Sequence, residues 1–317
     1  MFTGFLRNRR VQVGLVVFGL CAVIAIFGDL ILAVYGHGPL DVDYDATSAP
    51  PGTNGHLLGT TVSGQDVLSQ LVAGARGSLA VGTLSALLAC AIGALLGVAA
   101  GYIGGIFDTI ANAITNIFIT IPSFALALIA AGYISAAGGP GSAGMGWVMM
   151  AFLIGIFEWP GMARYMRAQT LTLRGRDFSM ATKLLGESTW RLVLFEIMPH
   201  LLGIISARFL AAIMAGILAE AGLNFLGVST GGVISWGTMI TNAQNQGALT
   251  LGWWWWFLPP GIAIAIIGTA TALVNFGLDE VTNPKLRTGN TKVVRSFLAR
   301  QRAEHRAAQR GPVGQDA

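Results

Sequence analysis

The segment that decides the fold is the polar stretch Arg164–His200, RYMRAQTLTLRGRDFSMATKLLGESTWRLVLFEIMPH. It contains six of the chain's basic residues, and long apolar runs lie on both sides of it. Positively charged loops between apolar runs are typical of the cytoplasmic side of a membrane protein. We therefore predict that this segment lies in the cytoplasm between two membrane-spanning helices. Its internal pattern indicates a helix that another protein binds.

The composition of the whole chain also points to a membrane protein. Of the 317 residues, 54% are hydrophobic and only 11% are charged, and the mean hydropathy is +0.65. Soluble domains carry about 25% charged residues, so the bilayer has to be the main solvent of this chain. The 43 glycines fit helices that pack closely in lipid. Both cysteines lie within apolar runs, which favours inert packing over a disulfide or a metal site.

Apolar stretches of about 20 residues are long enough to cross a bilayer as helices. Six stretches qualify: Val11–Val34, Ser78–Tyr102, Ile110–Ile134, Met145–Met162, Leu201–Glu220 and Phe257–Phe276. The first is too long for a cleavable signal peptide. With six spans, 17 of the 19 Lys and Arg residues fall on the side that holds both termini, which should be the cytoplasmic side. The sequence thus predicts an all-α integral membrane protein with six transmembrane helices, N-in and C-in.

A few unusual residues lie inside these spans. Arg208 is the only basic one, and near the cytoplasmic end of its span its side chain can extend to the lipid headgroups. Asp29, Glu158 and Glu220 lie toward span ends, where we expect an interface or a helix–helix hydrogen bond. Pro122 should kink the third span, either as packing geometry alone or as part of a gate.

Two further features flank the last span. Trp253–Trp256 precede it and suit an aromatic belt in the outer leaflet, with stacking on a sugar or base as the alternative. The basic tail at 289–317 follows it, and we expect this tail to be solvated or associated with lipid headgroups.

Within the polar segment, the residues from Asp177 to Gly186 have the pattern of a short amphipathic helix. Asp177 or Ser179 can cap its N-terminus, and Gly186 ends it. Its apolar face consists of Met180, Ala181, Leu184 and Leu185. A second short helix is expected from Glu187–Trp190, and Pro199 should end the segment just before the fifth span. From the residues alone, the first helix fits either a lipid surface or a groove in another protein.

This loop resembles the cytoplasmic loop of ABC-importer permeases, whose consensus is Glu-Ala-Ala, three residues, Gly, nine residues, Ile-x-Leu-Pro. Aligned on Gly186 and Pro199, the spacing fits without a gap, and Ala181 matches the first Ala. The positions that depart from the consensus are Met180, Thr182, Glu196 and Met198.

Other segments resemble, in the same order, motifs of the C-subunit type of dipeptide and oligopeptide permeases. LGTTVSGQDVLS at 58–69 is similar to LGTDxxGRDxLS, and GARGSL at 74–79 is similar to GARxSL. EAGLNFLG at 220–227 resembles ExxLSFLG, and SWG follows at 235–237. NFGLDEVTNPKL at 275–286 resembles the terminal NxxGDxLRDxLDP. The departures are Thr61, Gln65, Asn224, Leu278 and Asn283.

The resemblance covers roughly residues 1–288 and implies the type I ABC importer permease fold in the bacterial cytoplasmic (inner) membrane. Residues 1–77 would form an N-terminal cytoplasmic segment, the first transmembrane helix and an extracytoplasmic loop. Residues 78–288 would form a permease core of five transmembrane helices that contains the cytoplasmic coupling loop 164–200. In this family two permeases, usually unlike subunits, form the pathway. Two ATPase subunits or one fused ATPase drive it, and an extracytoplasmic solute-binding protein delivers peptides or related solutes.

The resemblance also implies that the loop helix docks on an ATPase subunit and transmits its movement. The residues expected to carry this ATPase coupling are Arg176, Met180, Ala181, Thr182, Lys183, Leu184, Leu185, Gly186 and Pro199. The chain has no G-x-x-x-x-G-K-[ST] phosphate loop, so ATP and Mg²⁺ would bind on the ATPase partners and no cofactor on this chain. Its histidines are scattered, and we expect no catalytic residues, no metal ligands and no nucleic-acid partner. The alternative function is a stand-alone secondary carrier or a channel of another class.

Overall fold

The computed structural model describes residues 9–136, 146–175, 187–228 and 232–282, together with residue 301. Its β-structure within these residues is limited to isolated bridges in the loop after the first helix. The helices are α1 (Arg9–Tyr35), α2 (Val67–Ile103), α3 (Gly105–Thr120), α4 (Ser123–Ala136), α5 (Gly146–Arg174), α6 (Thr189–Phe225), α7 (Trp236–Asn245) and α8 (Trp254–Thr282).

Helices α1, α2, α5, α6 and α8 are each long and apolar enough to cross a membrane. Helices α3 and α4 pass the same test only as a bent pair, so the described residues form five spans, or the predicted six if this pair is one broken span. The largest differences from the predicted boundaries are that α2 begins well before Ser78, α5 continues well beyond Met162 and α6 begins well before Leu201. Backbone hydrogen bonds continue a helix after the apolar stretch ends, so hydropathy alone underestimates these lengths.

The region predicted as the third span is sharply bent at Pro122 rather than gently kinked. Helices α3 and α4 are bent by 79° at a break that contains Ile121 and Pro122. Ile121 has an extended backbone, with φ −87° and ψ 130°, which is the conformation that a following proline favours. Pro122 has no N–H group and therefore cannot continue the hydrogen bonding of α3. Both halves of the span contact α5.

Helix α2 is central and contacts α1, α3, α5, α6, α7 and α8. Its closest approach is to α5, along glycines that recur every four residues. A Cβ atom added at Gly93 would lie 2.7 Å from the carbonyl oxygen of Trp159, and one at Gly101 would lie 2.8 Å from that of Arg167. Small residues at this spacing allow two helix backbones to approach closely in lipid, where packing replaces the hydrophobic effect as the driving force.

Helix α6 is one continuous helix, which corrects the prediction of a short helix that Pro199 separates from the fifth span. A wider, π-helical turn at Leu192–Ile197 precedes the proline, and the Met198 N–H donates to the carbonyl of Val193. In a regular α-helix the proline ring would meet the carbonyl of Phe195, four residues earlier, and the wider turn accommodates it. The helix is roughly 55 Å long at 1.5 Å per residue, which exceeds the thickness of a bilayer core.

Candidate functional site

The predicted coupling loop is described only at its edges. Of the expected coupling residues, Arg176, Met180, Ala181, Thr182, Lys183, Leu184, Leu185 and Gly186 lie outside the described residues. Pro199 lies within α6. Helix α5 reaches Arg174 before this segment, and α6 begins at Thr189 after it. In the sequence, this segment therefore lies between two long helices.

The end of α5 that leads into this segment is held to α3 by polar contacts. The Arg167 guanidinium donates to both carboxylate oxygens of Asp108, at 2.5 and 2.6 Å. Arg164 donates to the side-chain oxygen of Asn116 at 2.8 Å. A two-pronged arginine–carboxylate contact fixes orientation as well as distance. Two basic residues of the polar stretch thus bind a neighbouring helix of the same chain.

At the opposite end of α6, three of the sequence motifs meet in one group of residues, which we call the outer cluster. The Trp236 backbone N–H donates to Ser78 Oγ at 3.0 Å, and its indole N–H donates to the Leu71 carbonyl at 3.0 Å. Gly77 faces the carbonyl oxygen of Ile234, where no Cβ atom would fit. The outer cluster consists of Gly74, Gly77, Ser78, Glu220, Asn224, Ser235, Trp236 and Gly237.

Glu220 is the fully buried centre of the outer cluster. Its Oε1 accepts hydrogen bonds from Ser235 Oγ, at 2.6 Å, and from the Asn224 side-chain amide. A Cβ atom at Gly237 would lie 3.0 Å from Glu220 Oε2, an oxygen without a hydrogen-bond partner among the residues that the structure describes. Ser235 also caps α7 through a capping box with Thr238. The carboxylate therefore joins the outer end of α6 to the start of α7, the helix–helix hydrogen bond that we expected there.

The LGTTVSGQD motif shapes the loop between α1 and α2. Asp66 caps α2, because its Oδ1 accepts the Ser69 N–H at 2.7 Å. Its Oδ2 lies 2.7 Å from His56 Nδ1 and accepts the Tyr35 hydroxyl at 3.2 Å. The other ring nitrogen of His56 lies 3.3 Å from a carboxylate oxygen of Asp43. One buried aspartate thus connects the loop to the helix that follows it.

Part of the Trp253–Trp256 run packs inside the protein, against this loop, rather than facing lipid headgroups as in an aromatic belt. The Trp255 indole N–H donates to the Thr60 carbonyl at 3.2 Å. Trp256 is buried at 4% exposure, and Trp254 is exposed at 52%. At least two of the four tryptophans therefore hold the start of α8 in place. The sequence could not reveal this packing, because it depends on contacts between segments that are far apart in the chain.

The other candidate site is a cavity of about 210 Å³ between α2, α5 and α6. We call it the central cavity. Small residues form much of its wall, including Ser85, Ala89 and Ala215, and it has two charged lining residues, Glu158 and Arg208. Both charged side chains are exposed, although each lies within an apolar span. In membrane proteins such residues face the bundle interior or water.

The two charged side chains of the central cavity are held by different groups. The Arg208 guanidinium carbon lies 3.9 Å from the centroid of the Tyr165 ring, a cation–π contact. Glu158 accepts the Ser123 hydroxyl at 3.1 Å, which links α5 to the start of α4 as a helix–helix hydrogen bond. Arg208 lines the cavity and lies against an aromatic ring, while the extension of its side chain to the headgroups stays a prediction. Sequence reasoning missed this site because 50 residues separate its two charges.

The apolar spans, the continuous α6 and the outer cluster define a multi-pass integral membrane protein. Residues 93–288 match the family described as "Binding-protein-dependent transport system inner membrane component". The chain belongs to this family. It therefore has the type I ABC importer permease fold and is a multi-pass protein of the cytoplasmic membrane.

Several relatives share nearly the whole chain. It is 37% identical over 291 residues to the dipeptide transport system permease protein DppC of Escherichia coli (strain K12), covering 89% of this chain and 91% of the relative. It is 30% identical over 292 residues to the oligopeptide transport system permease protein OppC of Mycobacterium tuberculosis (strain ATCC 25618 / H37Rv), covering 90% and 93%. The chain is thus a permease component rather than an ATPase, which favours the first predicted function over a stand-alone carrier or channel.

Proposed function

We propose that this chain is the transmembrane permease subunit of an ATP-driven ABC importer for dipeptides or oligopeptides. The observation that carries the proposal is the similarity, over about nine-tenths of the chain, to permeases named for dipeptide and oligopeptide transport. The chain would form half of the pathway beside a second permease. Two ATPase subunits, or one fused ATPase, would bind ATP and Mg²⁺, and an extracytoplasmic binding protein would deliver the solute.

The coupling element in this proposal is the segment 176–186, with its apolar face in a groove of the ATPase. Movement of this segment would pass into α6, which begins at Thr189 and reaches Phe225. The continuity of α6 supports the proposal, because a single helix transmits displacement with little loss. Glu220 and Ser235 would carry the movement on to α7 at the outer end.

Pro122 is the gating candidate in the same mechanism. The break that contains it precedes Ser123, whose hydroxyl donates to Glu158 at the central cavity. A change in the angle between α3 and α4 would therefore alter one wall of the cavity. Replacing Pro122 by Ala should lower the rate of uptake if the break moves during transport.

The decisive experiment is purification and reconstitution of the tagged chain with its partners. After gentle solubilisation, a second permease and an ATPase should copurify. Proteoliposomes supplied with the binding protein should take up labelled dipeptide only when ATP is present. If no ATPase copurifies, the proposal fails.

A substitution then tests the coupling segment. Gly186→Trp should abolish ATP-driven uptake while ATP hydrolysis continues, because the bulky side chain prevents close approach of the segment to the ATPase. Gly19→Leu on α1 is the matched control, since a Cβ atom there would meet nothing within 4 Å. Normal uptake by the Gly186→Trp variant would contradict the assigned role of this segment.

A further inference from the structure

We propose that the central cavity recognises the charged ends of a zwitterionic solute, with Arg208 contacting its carboxylate and Glu158 contacting its ammonium group. This inference rests on the proposed function, because it assigns a recognition site within the pathway of a peptide permease. It names residues outside every motif by which the chain resembles its family.

The position of the two charges is the first argument. Glu158 lies on α5 and Arg208 on α6, both within helices that are apolar enough to span a membrane. Ionised side chains in spans face water or protein rather than lipid. Because both side chains are exposed and line one cavity, we assign this face of the chain to a water-filled pathway.

The unused hydrogen-bonding capacity of the two groups is the second argument. Arg208 is stacked on Tyr165 through the face of its guanidinium, and within the described ranges no carboxylate forms an ion pair with it. The N–H groups of the Arg208 guanidinium can therefore still donate to an anion, and the Tyr165 ring restricts the orientation of the guanidinium. Glu158 accepts one hydrogen bond from Ser123, whereas a carboxylate has room for several.

The chemistry of the rest of the wall is the third argument. Ala89, Gly161 and Ala215 contribute almost no side chain, so the cavity offers two fixed charges on a smooth and mostly apolar surface. An unmodified linear peptide carries an ammonium group at one end and a carboxylate at the other, while its side chains vary. An arginine binds a carboxylate in a two-pronged geometry. Such a site would bind the constant ends of a peptide and leave its variable side chains unselected.

Thiol protection in the assembled transporter tests this proposal directly. Ala215→Cys, in a background with Cys21 and Cys90 replaced by alanine, places a reporter on the cavity wall. A membrane-impermeant thiol reagent should label it, and millimolar dialanine should slow the labelling several-fold. Dialanine amide, which lacks the carboxylate, should protect far less. Absence of labelling, or equal protection by both compounds, would overturn the proposal.

Variants that remove one charge test whether the residues needed for thiol protection are also needed for transport. Arg208→Gln and Glu158→Gln should each abolish the protection and lower the rate of ATP-driven dipeptide uptake about tenfold, while the ATPase and the second permease still copurify. Arg208→Lys should restore part of the uptake, because the charge remains without the planar fork. Loss of copurification in Arg208→Gln would instead assign this residue to subunit contact and overturn the inference.

The matched controls are Asp29→Asn and Arg76→Gln. These residues form an exposed ion pair at 3.1 Å, away from the cavity, so both variants should keep wild-type uptake and protection. The two proposals fail in different ways. If the wild-type transporter imports no peptide, the proposed function is wrong. If it imports peptide and the Arg208 and Glu158 variants do so at the same rate, only the present inference is wrong.

Discussion

The outer cluster and the central cavity both place polar side chains among apolar helices, but they use them in opposite ways. In the outer cluster, Glu220 is fully buried and bonded to Ser235 and Asn224 of the same chain. In the central cavity, Glu158 and Arg208 are exposed and keep open hydrogen-bonding positions. Sequence motifs mark the first region and not the second. The motif residues at this end of the molecule therefore hold helices together, whereas the residues that we propose to contact the solute lie outside the motifs.

The largest effect should come from adding bulk to the outer cluster. Gly77→Leu would place a side chain against the Ile234 carbonyl, where even a Cβ atom has no room. We expect a loss of about 3 kcal/mol of stability, enough to remove most folded protein. The measurement is the yield of monodisperse protein in detergent, with Gly19→Leu as the control. A normal yield of the Gly77→Leu variant would mean that the cluster tolerates movement of the segment around Ile234.

The second-largest effect is a difference in thermal stability between variants of the outer cluster and variants of the central cavity. Glu220→Ala leaves the Ser235 hydroxyl and the Asn224 amide without their acceptor, at a cost of about 2 kcal/mol, and should lower the melting temperature by about 3 °C. Arg208→Gln and Glu158→Gln should leave the melting temperature within about 1 °C, since exposed substitutions outside packed regions change little. Thermal unfolding in detergent checks both. Equal destabilisation by all three variants would remove the distinction between the regions.

A smaller effect should follow from narrowing the cavity without changing its charge. Ala215 is exposed on the cavity wall, so Ala215→Phe adds volume there without disturbing buried packing. Uptake of a pentapeptide should fall about tenfold, while uptake of a dipeptide falls only about twofold, because the longer solute needs more space. Competition between the two labelled peptides in proteoliposomes measures the ratio. An unchanged ratio would place the narrow part of the pathway elsewhere.

The smallest effect concerns pH at the loop between α1 and α2. The pKa of the Asp43 carboxyl is lowered, chiefly because it accepts the Asp45 N–H at 2.9 Å and also because it contacts His56. A lowered folded-state pKa means that the ionised group stabilises the loop above its unfolded pKa of about 3.9. This stabilisation disappears as the pH falls through the folded value. The difference in melting temperature between wild type and Asp43→Asn should therefore be small at pH 7 and shrink below about pH 4. A difference that grew on acidification would contradict the stabilising role of the ionised Asp43 carboxylate.

The spans were predictable from the sequence because each needs a run of apolar residues that the bilayer imposes locally. The break at Pro122 has an equally local cause, since proline lacks the N–H that the helix requires. The outer cluster was not predictable from residue properties. Glu220 and Ser235 lie in separate segments, and only folding places a hydroxyl 2.6 Å from the buried carboxylate. Their motifs were visible in the sequence, but the contact that explains them was not.

Some sequence-based expectations depended on contacts that only the fold could supply. Pro199 was expected to end a segment, yet a π-helical turn lets α6 continue through it. The contact between the Arg208 guanidinium and Tyr165 of another helix also could not be read from the sequence. The coupling roles of residues 176–186 remain predictions that depend on the resemblance.

The sequence alone was enough to predict a membrane protein, the number of its spans, the side on which its basic loop lies and the family that its motifs resemble. These properties follow from hydropathy, charge and local spacing, which are read along the chain. The tertiary structure alone decided that three motifs form one cluster, that α6 joins the basic loop to it, and that Glu158 and Arg208 share a cavity. The physical reason is that hydrogen bonds and cavities depend on distances in space, and helix packing brings together residues that are far apart in sequence.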